Sequence, residues 1–252
     1  MVDHLSLPDQ HLDPFVAANY DASVPERFEP ALIDAAVDVL SDLADGGSVV
    51  EFAIGTGRLA LPLAAAGVPV SGLDASQPMV DLMAKKPGAD RIPVTIGDMT
   101  STRIAEDAAL VFLVFNTIGN LRTQELQVAC FRNAAAHLAP GGRFLIQNQV
   151  PQLASLAPGE TIRTNEITER HLGFDEFIDP VGQVLVSHHY FLNGDDVRTL
   201  SGAFRYVWPS ELDLMAQLAG MTLESRWADW SRAPFTGDSP AHVSVWRKPT
   251  FE

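Results

Sequence analysis

The sequence has little of what disulfide-linked or nucleic-acid-binding proteins need. Its single cysteine, Cys130, cannot form a disulfide within the chain, and this favours a reducing compartment. Basic residues are also few, because 17 lysines and arginines stand against 32 acids and give a formal net charge of −15. A surface with this charge repels a phosphate backbone on average, and no segment concentrates lysine and arginine. We therefore expect no nucleic acid among the partners.

Long apolar runs are absent as well. The stretch 108–115 is broken after eight residues, whereas a helix needs about 20 to span a bilayer. The N-terminus carries aspartates and prolines where a signal peptide has basic residues and then an apolar run. We expect a cytoplasmic protein without a membrane partner. With 46% hydrophobic and 19% charged residues, the composition is that of a globular chain.

Helical and strand-like patterns alternate from residue 30 to residue 150. Pro30–Ala44 has apolar side chains at helical spacing and is followed by Gly46 and Gly47. The patterns then predict strands at 48–53, 68–73, 92–96, 109–115 and 143–147, and helices at 58–66, 76–86 and 124–138. Such an alternation predicts a parallel sheet with helices on both faces.

The pattern changes after Pro151. Strand-like segments with period-two alternation follow at 161–168, 182–191 and 198–208, and Asn193-Gly194-Asp195 predicts a turn. A helix at 209–218 and strands at 221–228 and 242–247 complete the chain. We predict a single domain made of an N-terminal arm and helix (1–45), a core (46–150), an antiparallel insert (151–208), and a final helix with strands (209–252).

Acidic side chains stand at the ends of three successive predicted strands. Glu51 comes just before a turn in which Gly55 and Gly57 let the backbone bend sharply and let a ligand approach. Asp74 closes the second strand, where an acid commonly accepts hydrogen bonds from both hydroxyls of a ribose, and Asp98 follows the third. Open parallel sheets bind their ligands at the carboxyl ends of the strands. The sequence therefore predicts a ribose-containing ligand at this edge.

These motifs together resemble those of class I S-adenosylmethionine-dependent methyltransferases. The similar segments are Glu51–Leu59, in which Ala53 replaces the first glycine of the motif, Gly72–Met79, Gly97–Met99, Phe115–Leu121 and Leu138–Arg143. The match covers about residues 18–150. It implies an α/β fold with a Rossmann-like sheet of seven mostly parallel strands, helices on both faces, and a small antiparallel insert before the last helix.

The resemblance also implies roles for individual residues toward the cofactor S-adenosylmethionine. Glu51 would attract the methionine amino group, Asp74 would hold the ribose, and Asp98 would accept a hydrogen bond from the adenine amine. Met79 and Met99 would flank the adenine. The remaining residues that the resemblance places in the cofactor site are Tyr20, Ala53, Gly55, Gly57, Arg58, Ala75, Phe115 and Asn116.

Two other functions fit parts of the pattern. Gly55–Ala60 also matches the dinucleotide pattern Gly-x-Gly-x-x-Ala, as in an NAD(P)-dependent oxidoreductase. Against this hypothesis, Glu51 would direct a carboxylate toward the pyrophosphate, and no tyrosine is followed four residues later by a lysine. A second alternative is a protein that binds the cofactor without catalysing a reaction.

A looser similarity points to a branch that includes amino-sugar N-methyltransferases and glycine N-methyltransferase. It rests on Tyr20-Asp21, on Phe115–Leu121 and on the insert. In that branch a tyrosine of the arm closes over the sulfonium, and the insert covers the acceptor. Candidate catalytic residues are Tyr20 and His189, and candidate substrate-binding residues are Asn120, Arg205 and Tyr206.

We expect a small-molecule acceptor that is methylated on an amine nitrogen or a hydroxyl oxygen. Transfer of a methyl group is an in-line displacement, so positioning can supply much of the rate. The predicted strands four and five are followed by amides such as Asn116 and Gln147 rather than by a cluster of carboxylates, and we expect no metal. A homodimer is possible.

Overall fold

A computed structural model describes residues 7, 9–23, 25–194 and 196–250. The described residues form α1 (Pro14–Ser23), α2 (Pro30–Ala44), α3 (Ala60–Ala65), α4 (Gln77–Met83), α5 (Gln124–His137) and α6 (Pro209–Leu218). The strands are β1 (Val49–Phe52), β2 (Val70–Asp74), β3 (Val94–Ile96), β4 (Ala108–Leu113), β5 (Leu138–Gln149), β6 (Ile162–Ile167), β7 (His171–Asp179), β8 (Val184–Asn193), β9 (Asp196–Arg205), β10 (Thr222–Trp227) and β11 (Ala241–Arg247). In this part of the chain, helices are all too short or too polar to cross a membrane.

The first sheet has seven strands in the order β10-β11-β5-β4-β1-β2-β3. Neighbours from β3 to β5 pair in parallel, whereas β11 runs antiparallel to both β5 and β10. The chain starts at β1 in the middle, builds β2 and β3 on one side, and then crosses to β4 and β5 on the other. The predicted fold class is confirmed. The reversal between β1 and β4 is the point at which open α/β sheets bind their ligands.

Apolar side chains fill both faces of this sheet. Phe131 of α5 packs with its ring centre 5.0 Å from Phe144 and 5.3 Å from Trp246, and all three side chains are fully buried. The opposite face is covered by α2 and α3 through Leu40 and Leu63. Helices therefore lie on both faces, as the alternating pattern predicts. Cys130 lies in the α5 layer and is fully buried.

The insert forms a second, antiparallel sheet in the order β6-β7-β8-β9. The patterns predict three of its strands and miss β7, in which Gly173 and the acids of the segment 175–179 interrupt the apolar alternation. Strands β8 and β9 pair as far as Asn193 and Asp196, which fits the predicted turn. Asp195 of that turn lies outside the described residues.

The N-terminal arm joins the second sheet to the first. Phe15 of α1 packs with its ring centre 5.7 Å from that of Phe191 in β8, and the Arg198 guanidinium of β9 lies 3.8 Å from the Phe15 ring centre. At the other end of the helix, Asp21 accepts hydrogen bonds from Thr56 at 2.6 Å and from Lys86 at 2.5 Å. The arm thus contacts the glycine-bearing turn after β1.

Candidate functional site

The turn after β1 needs an unusual backbone. Ala53, Gly55 and Gly57 have φ values of +54°, +58° and +78°, in the left-handed region. A Cβ atom on Gly57 would lie 2.9 Å from Met83 Cγ, so a side chain at position 57 would collide with α4. Ala53 adopts the same region with a Cβ, which costs about 1–2 kcal/mol. The motif therefore keeps the glycine conformation even where alanine replaces glycine.

Glu51 presents a buried carboxylate beside this turn. The residue is 3% exposed, and its Oε2 has no hydrogen-bond partner among the described residues. Burial raises the pKa of Glu51 well above its ordinary value, and the nearby guanidinium of Arg58 acts in the opposite direction. Burial in turn lowers the pKa of Arg58. A buried carboxylate with one unpaired oxygen is a strong acceptor for a cationic group of a ligand.

Asp74 connects the first two motifs. Its Oδ2 accepts a hydrogen bond from the Gly55 amide and its Oδ1 accepts one from the Ser76 amide, both at 2.7 Å. Burial raises the pKa of Asp74, and these backbone amides partly offset the shift. Each oxygen keeps a second lone pair for a ligand hydroxyl. Ser76 is the N-cap residue of α4, and its side chain makes no capping hydrogen bond.

The third acidic end follows β3. Asp98 is exposed, and its Oδ1 accepts a hydrogen bond from the Thr100 amide at 2.7 Å. Met99 is buried, and its carbonyl accepts a hydrogen bond from the side chain of Asn133 at 2.9 Å. This arrangement fixes the chain around Asp98 and leaves its carboxylate accessible to a ligand.

A cleft opens along these strand ends, with an empty volume of about 560 Å³. The predicted residues that line it are Ala53, Asp74, Ala75, Asp98, Met99 and Asn120. Met79 is buried in α4 but does not line the cleft. Asp9 and His11 of the arm also line it, and sequence reasoning missed both. No local pattern marks them, because their position depends on how the arm folds back.

The loop after β4 is strained. Phe115 and Asn116 both have φ of +60°, which is rare for residues other than glycine and is concentrated at functional sites. Gln147 Oε1 accepts a hydrogen bond from the Phe115 amide at 3.0 Å. Asn116 Oδ1 accepts one from the Gln149 amide at 2.7 Å. The side-chain oxygen of Asn116 therefore stabilises the conformation of the loop.

Tyr20 packs against the Phe115 ring, with ring centres 6.3 Å apart and the planes nearly perpendicular. The guanidinium carbons of Arg27 and Arg58 lie 4.8 and 5.9 Å from the centre of the same ring. Burial raises the pKa of Tyr20 to about 12, so its hydroxyl stays protonated at neutral pH. The electrostatic interactions of Tyr20 include Glu51 and Arg58. The structure thus brings these candidate residues together.

The other candidates, all in the insert, lie elsewhere, and none of the three lines the cleft. His189 Nδ1 is 3.0 Å from His171 Nε2, and its Nε2 is 3.2 Å from Ser187 Oγ. Tyr206 is buried against Phe177, with ring centres 5.6 Å apart.

Arg205 is 5% exposed and is committed to other side chains. Its Nη1 donates to Gln127 at 2.5 Å, and its Nη2 donates to Gln183 at 2.8 Å and to Glu211 at 2.6 Å. These bonds tie β9 to α5 and α6. Arg205 therefore contributes to the packing of the insert and does not line the cleft.

Known proteins resemble this chain over most of its length. A family model described as a methyltransferase domain matches residues 49–142. The CcbJ methyltransferase from Streptomyces caelestis is 34% identical, with a TM-score of 0.81 over 94% of this chain and 100% of that one. The cypemycin N-terminal methyltransferase from a Streptomyces species is 26% identical over 200 residues, 77% of this chain and 80% of the relative.

A third comparison supports the fold alone. An amino pentose methyltransferase from Micromonospora echinaspora, CalS10, was solved with S-adenosylmethionine bound. It is 19% identical and has a TM-score of 0.67 over 91% of this chain and 96% of that one. Together with the seven-stranded sheet and the likeness to CcbJ, these matches show that the chain belongs to the class I S-adenosylmethionine-dependent methyltransferases.

Proposed function

We propose that this methyltransferase acts on a small molecule and methylates it on an amine nitrogen or a hydroxyl oxygen. The observation that carries the proposed cofactor site is the buried Oε2 of Glu51 in β1, which has no hydrogen-bond partner among the described residues. It lies next to a glycine-bearing turn that leaves room for a ligand. A cationic ligand group would relieve the cost of this buried carboxylate.

The residues present fit S-adenosylmethionine. Glu51 would hold the ammonium group of the methionine part, and Arg58 would face its carboxylate. Asp74 keeps lone pairs for two ribose hydroxyls, and the accessible carboxylate of Asp98 suits the adenine amine. A dinucleotide fits less well, because Glu51 would lie near the negatively charged pyrophosphate. When bound, the cofactor supplies an electrophilic methyl group.

Tyr20 and Phe115 would shape the site for transfer. Their rings form one edge of the region around Glu51 and Arg58, and they would keep water away from the reacting atoms. A displacement of this kind depends chiefly on how the two reactants are held. A neutral amine needs no strong base to react. A catalytic role for His189 stays a prediction. Substrate contacts by Arg205 and Tyr206 also stay predictions.

A nitrogen acceptor is favoured over oxygen by one relative. The cypemycin N-terminal methyltransferase carries in its name a reaction at an amino terminus. The net charge of −15 would also attract a cationic amine rather than an anionic acceptor. Of the candidate acceptor residues, Asn120 is the one that lines the cleft.

The experiment is transfer of a labelled methyl group from S-adenosylmethionine to panels of small amines and of phenols, with and without EDTA. We expect labelling of at least one amine, no loss of activity in EDTA, and no labelling by Glu51→Gln. Activity that EDTA abolishes and magnesium restores would contradict metal independence. Within the described residues, no cluster of three histidine, cysteine or acidic side chains is arranged to hold a metal.

We propose that residues 1–252 act as one methyltransferase domain in the cytoplasm, without nucleic acid and as a homodimer. The excess of acids supports the exclusion of nucleic acid. Gel filtration with light scattering and a binding assay with duplex and single-stranded DNA and RNA would test these points.

A further inference from the structure

The arm segment Asp9–Leu12, which we call the strap, lies across the cleft. Arg122, just before α5, holds its start: Nη1 donates to the Leu7 carbonyl at 2.5 Å, and Nη2 forms an ion pair with Asp9. Gln10 lies against the second sheet, since a Cβ on Gly202 would be 2.8 Å from Gln10 Cγ. The strap is therefore held from both the core and the insert.

Two side chains of the strap face the cleft. Asp9 and His11 line it together with Asp74, and His11 interacts electrostatically with that carboxylate. Burial lowers the pKa of His11 against the opposing effects of Asp9 and Asp74, so a neutral imidazole faces the cleft near pH 7. A neutral imidazole has one donor and one acceptor nitrogen, which suits a hydroxyl group.

The strap covers the cleft without filling it. The volume of about 560 Å³ includes space that is open to solvent, and the cavity itself is about 140 Å³ with the strap in place. After the strap, Asp13 pairs with Arg198 at 3.1 Å, so the chain is anchored again before α1. A ligand in the cleft would lie beside the strap, and lifting of the strap would widen the path for its entry and exit.

We propose that the strap closes the adenosine half of the cofactor site, with His11 contacting the ribose and the Asp9–Arg122 pair acting as the latch. The inference rests on the proposed cofactor site at Asp74. It gives the outer arm a role separate from that of Tyr20, because the strap controls how fast the cofactor exchanges. The Asp9 side chain is 42% exposed, so the latch can break without unfolding the core.

Rapid mixing of the full chain with S-adenosylhomocysteine tests the latch. In Asp9→Asn and in Arg122→Gln, we expect the association and dissociation rate constants to rise together by about fivefold, a size typical of a partly exposed ion pair. The dissociation constant should stay within about twofold, because loss of the latch speeds entry and exit alike. The double variant should behave like Arg122→Gln alone, since that change already removes the ion pair together with the hydrogen bond to the Leu7 carbonyl.

The matched control is Arg232→Gln, which breaks the exposed Arg232–Asp42 pair far from the strap and should leave both rate constants unchanged. Unchanged rates in the latch variants would overturn the proposal, and so would a rise in dissociation alone. Additive effects in the double variant would show that the two residues act independently and would also overturn it. If the wild type itself does not bind S-adenosylhomocysteine, the proposed function fails instead.

A second pair of variants tests His11. We expect His11→Ala to raise the dissociation constant for S-adenosylhomocysteine about tenfold, through loss of a hydrogen bond to a ribose hydroxyl. His11→Gln, which keeps a donor and an acceptor, should recover most of that affinity. The melting temperature of the ligand-free protein should stay the same in both. Wild-type affinity in His11→Ala would show that His11 does not contact the ribose.

Discussion

Glu51 makes the stability of the protein depend on pH. Its carboxylate is buried in the ligand-free protein, and the backbone hydrogen bond from the Ala60 amide opposes the rise in its pKa less strongly than burial promotes it. Because the folded state raises this pKa, the folded state binds the proton more tightly than the unfolded chain does. The stability that depends on this proton is present below the unfolded pKa and is lost as pH rises toward the folded one.

Glu51→Gln should therefore stabilise the ligand-free protein at pH 8. We expect a gain of about 1–2 kcal/mol in the free energy of unfolding, because a buried charge with an unpaired oxygen is removed. At pH 4 the gain should disappear, since Glu51 is then protonated in both states. Urea unfolding at the two pH values measures this. An equal effect at both pH values would show that folding does not raise the pKa of Glu51.

Ala53 adopts a backbone conformation that is strained for alanine but not for the glycine usual at this position of the motif. Its φ of +54° places a Cβ in the left-handed region. Ala53→Gly should raise the free energy of unfolding by about 0.5–1 kcal/mol, because the relief of strain exceeds the extra entropy of an unfolded glycine. Thermal unfolding measures the change, with Ala66→Gly at the end of α3, where φ is −74°, as the control that should destabilise.

At the scale of elements, the insert is joined to the core by a charged cluster. Arg205 of β9 and Glu211 of α6 form a buried ion pair at 2.6 Å, with side chains 6% and 15% exposed. Gln127 and Gln183 complete the hydrogen bonds of the guanidinium. Removing one member leaves the other charge buried and unpaired.

Arg205→Ala should cost about 3 kcal/mol of stability. The double variant with Glu211→Ala should cost less than the sum of the single changes, because neither charge is then left alone. Binding of S-adenosylhomocysteine should be unchanged in folded protein if Arg205 has only this packing role. A selective loss of acceptor binding with normal stability would show that Arg205 contacts the substrate.

The arm helix α1 carries Tyr20 to the region of Glu51 and Phe115. Tyr20→Phe keeps the ring contact at 6.3 Å and removes the hydroxyl. We expect it to lower kcat by about tenfold while the affinity for S-adenosylhomocysteine changes less than twofold, as for a group that acts on the reaction more than on cofactor binding. Steady-state kinetics and calorimetry measure the two. An unchanged kcat would make Tyr20 a packing residue.

Local patterns predict some elements of this chain far better than others. The helices Pro30–Ala44 and Pro209–Leu218 have the predicted bounds, because apolar spacing and an initial proline specify them locally. Strand β7 could not be found this way, since its acidic and glycine positions hide the alternation and pairing with β6 and β8 defines it.

The same distinction applies to the site. Glu51, Asp74 and Asp98 were predictable because each stands at a strand end next to a recognisable turn. The partners of Arg205 come from three other elements, so its burial could not be inferred from its neighbours in sequence. His11 reaches the cleft only through the folding of the arm.

At the scale of the whole molecule, the strand ends of the larger sheet, the loop after β4 and the arm line one cleft at the switch point of that sheet. The strand ends supply carboxylates, and the arm supplies an outer wall. The second sheet is joined to the core through Arg205 and to the arm through Phe191 and Arg198. We propose that the cofactor occupies this cleft and that the acceptor binds near Asn120, which also lines it.

The central claim is that this cleft binds S-adenosylmethionine through Asp74, and calorimetric titration with S-adenosylhomocysteine tests it most directly. The wild type should bind in the micromolar range, and Asp74→Ala should lose about 2–4 kcal/mol of binding free energy through two ribose hydrogen bonds. NAD should not compete. Tight NAD binding with no response to S-adenosylhomocysteine, or an Asp74→Ala variant that binds as the wild type does, would contradict the account.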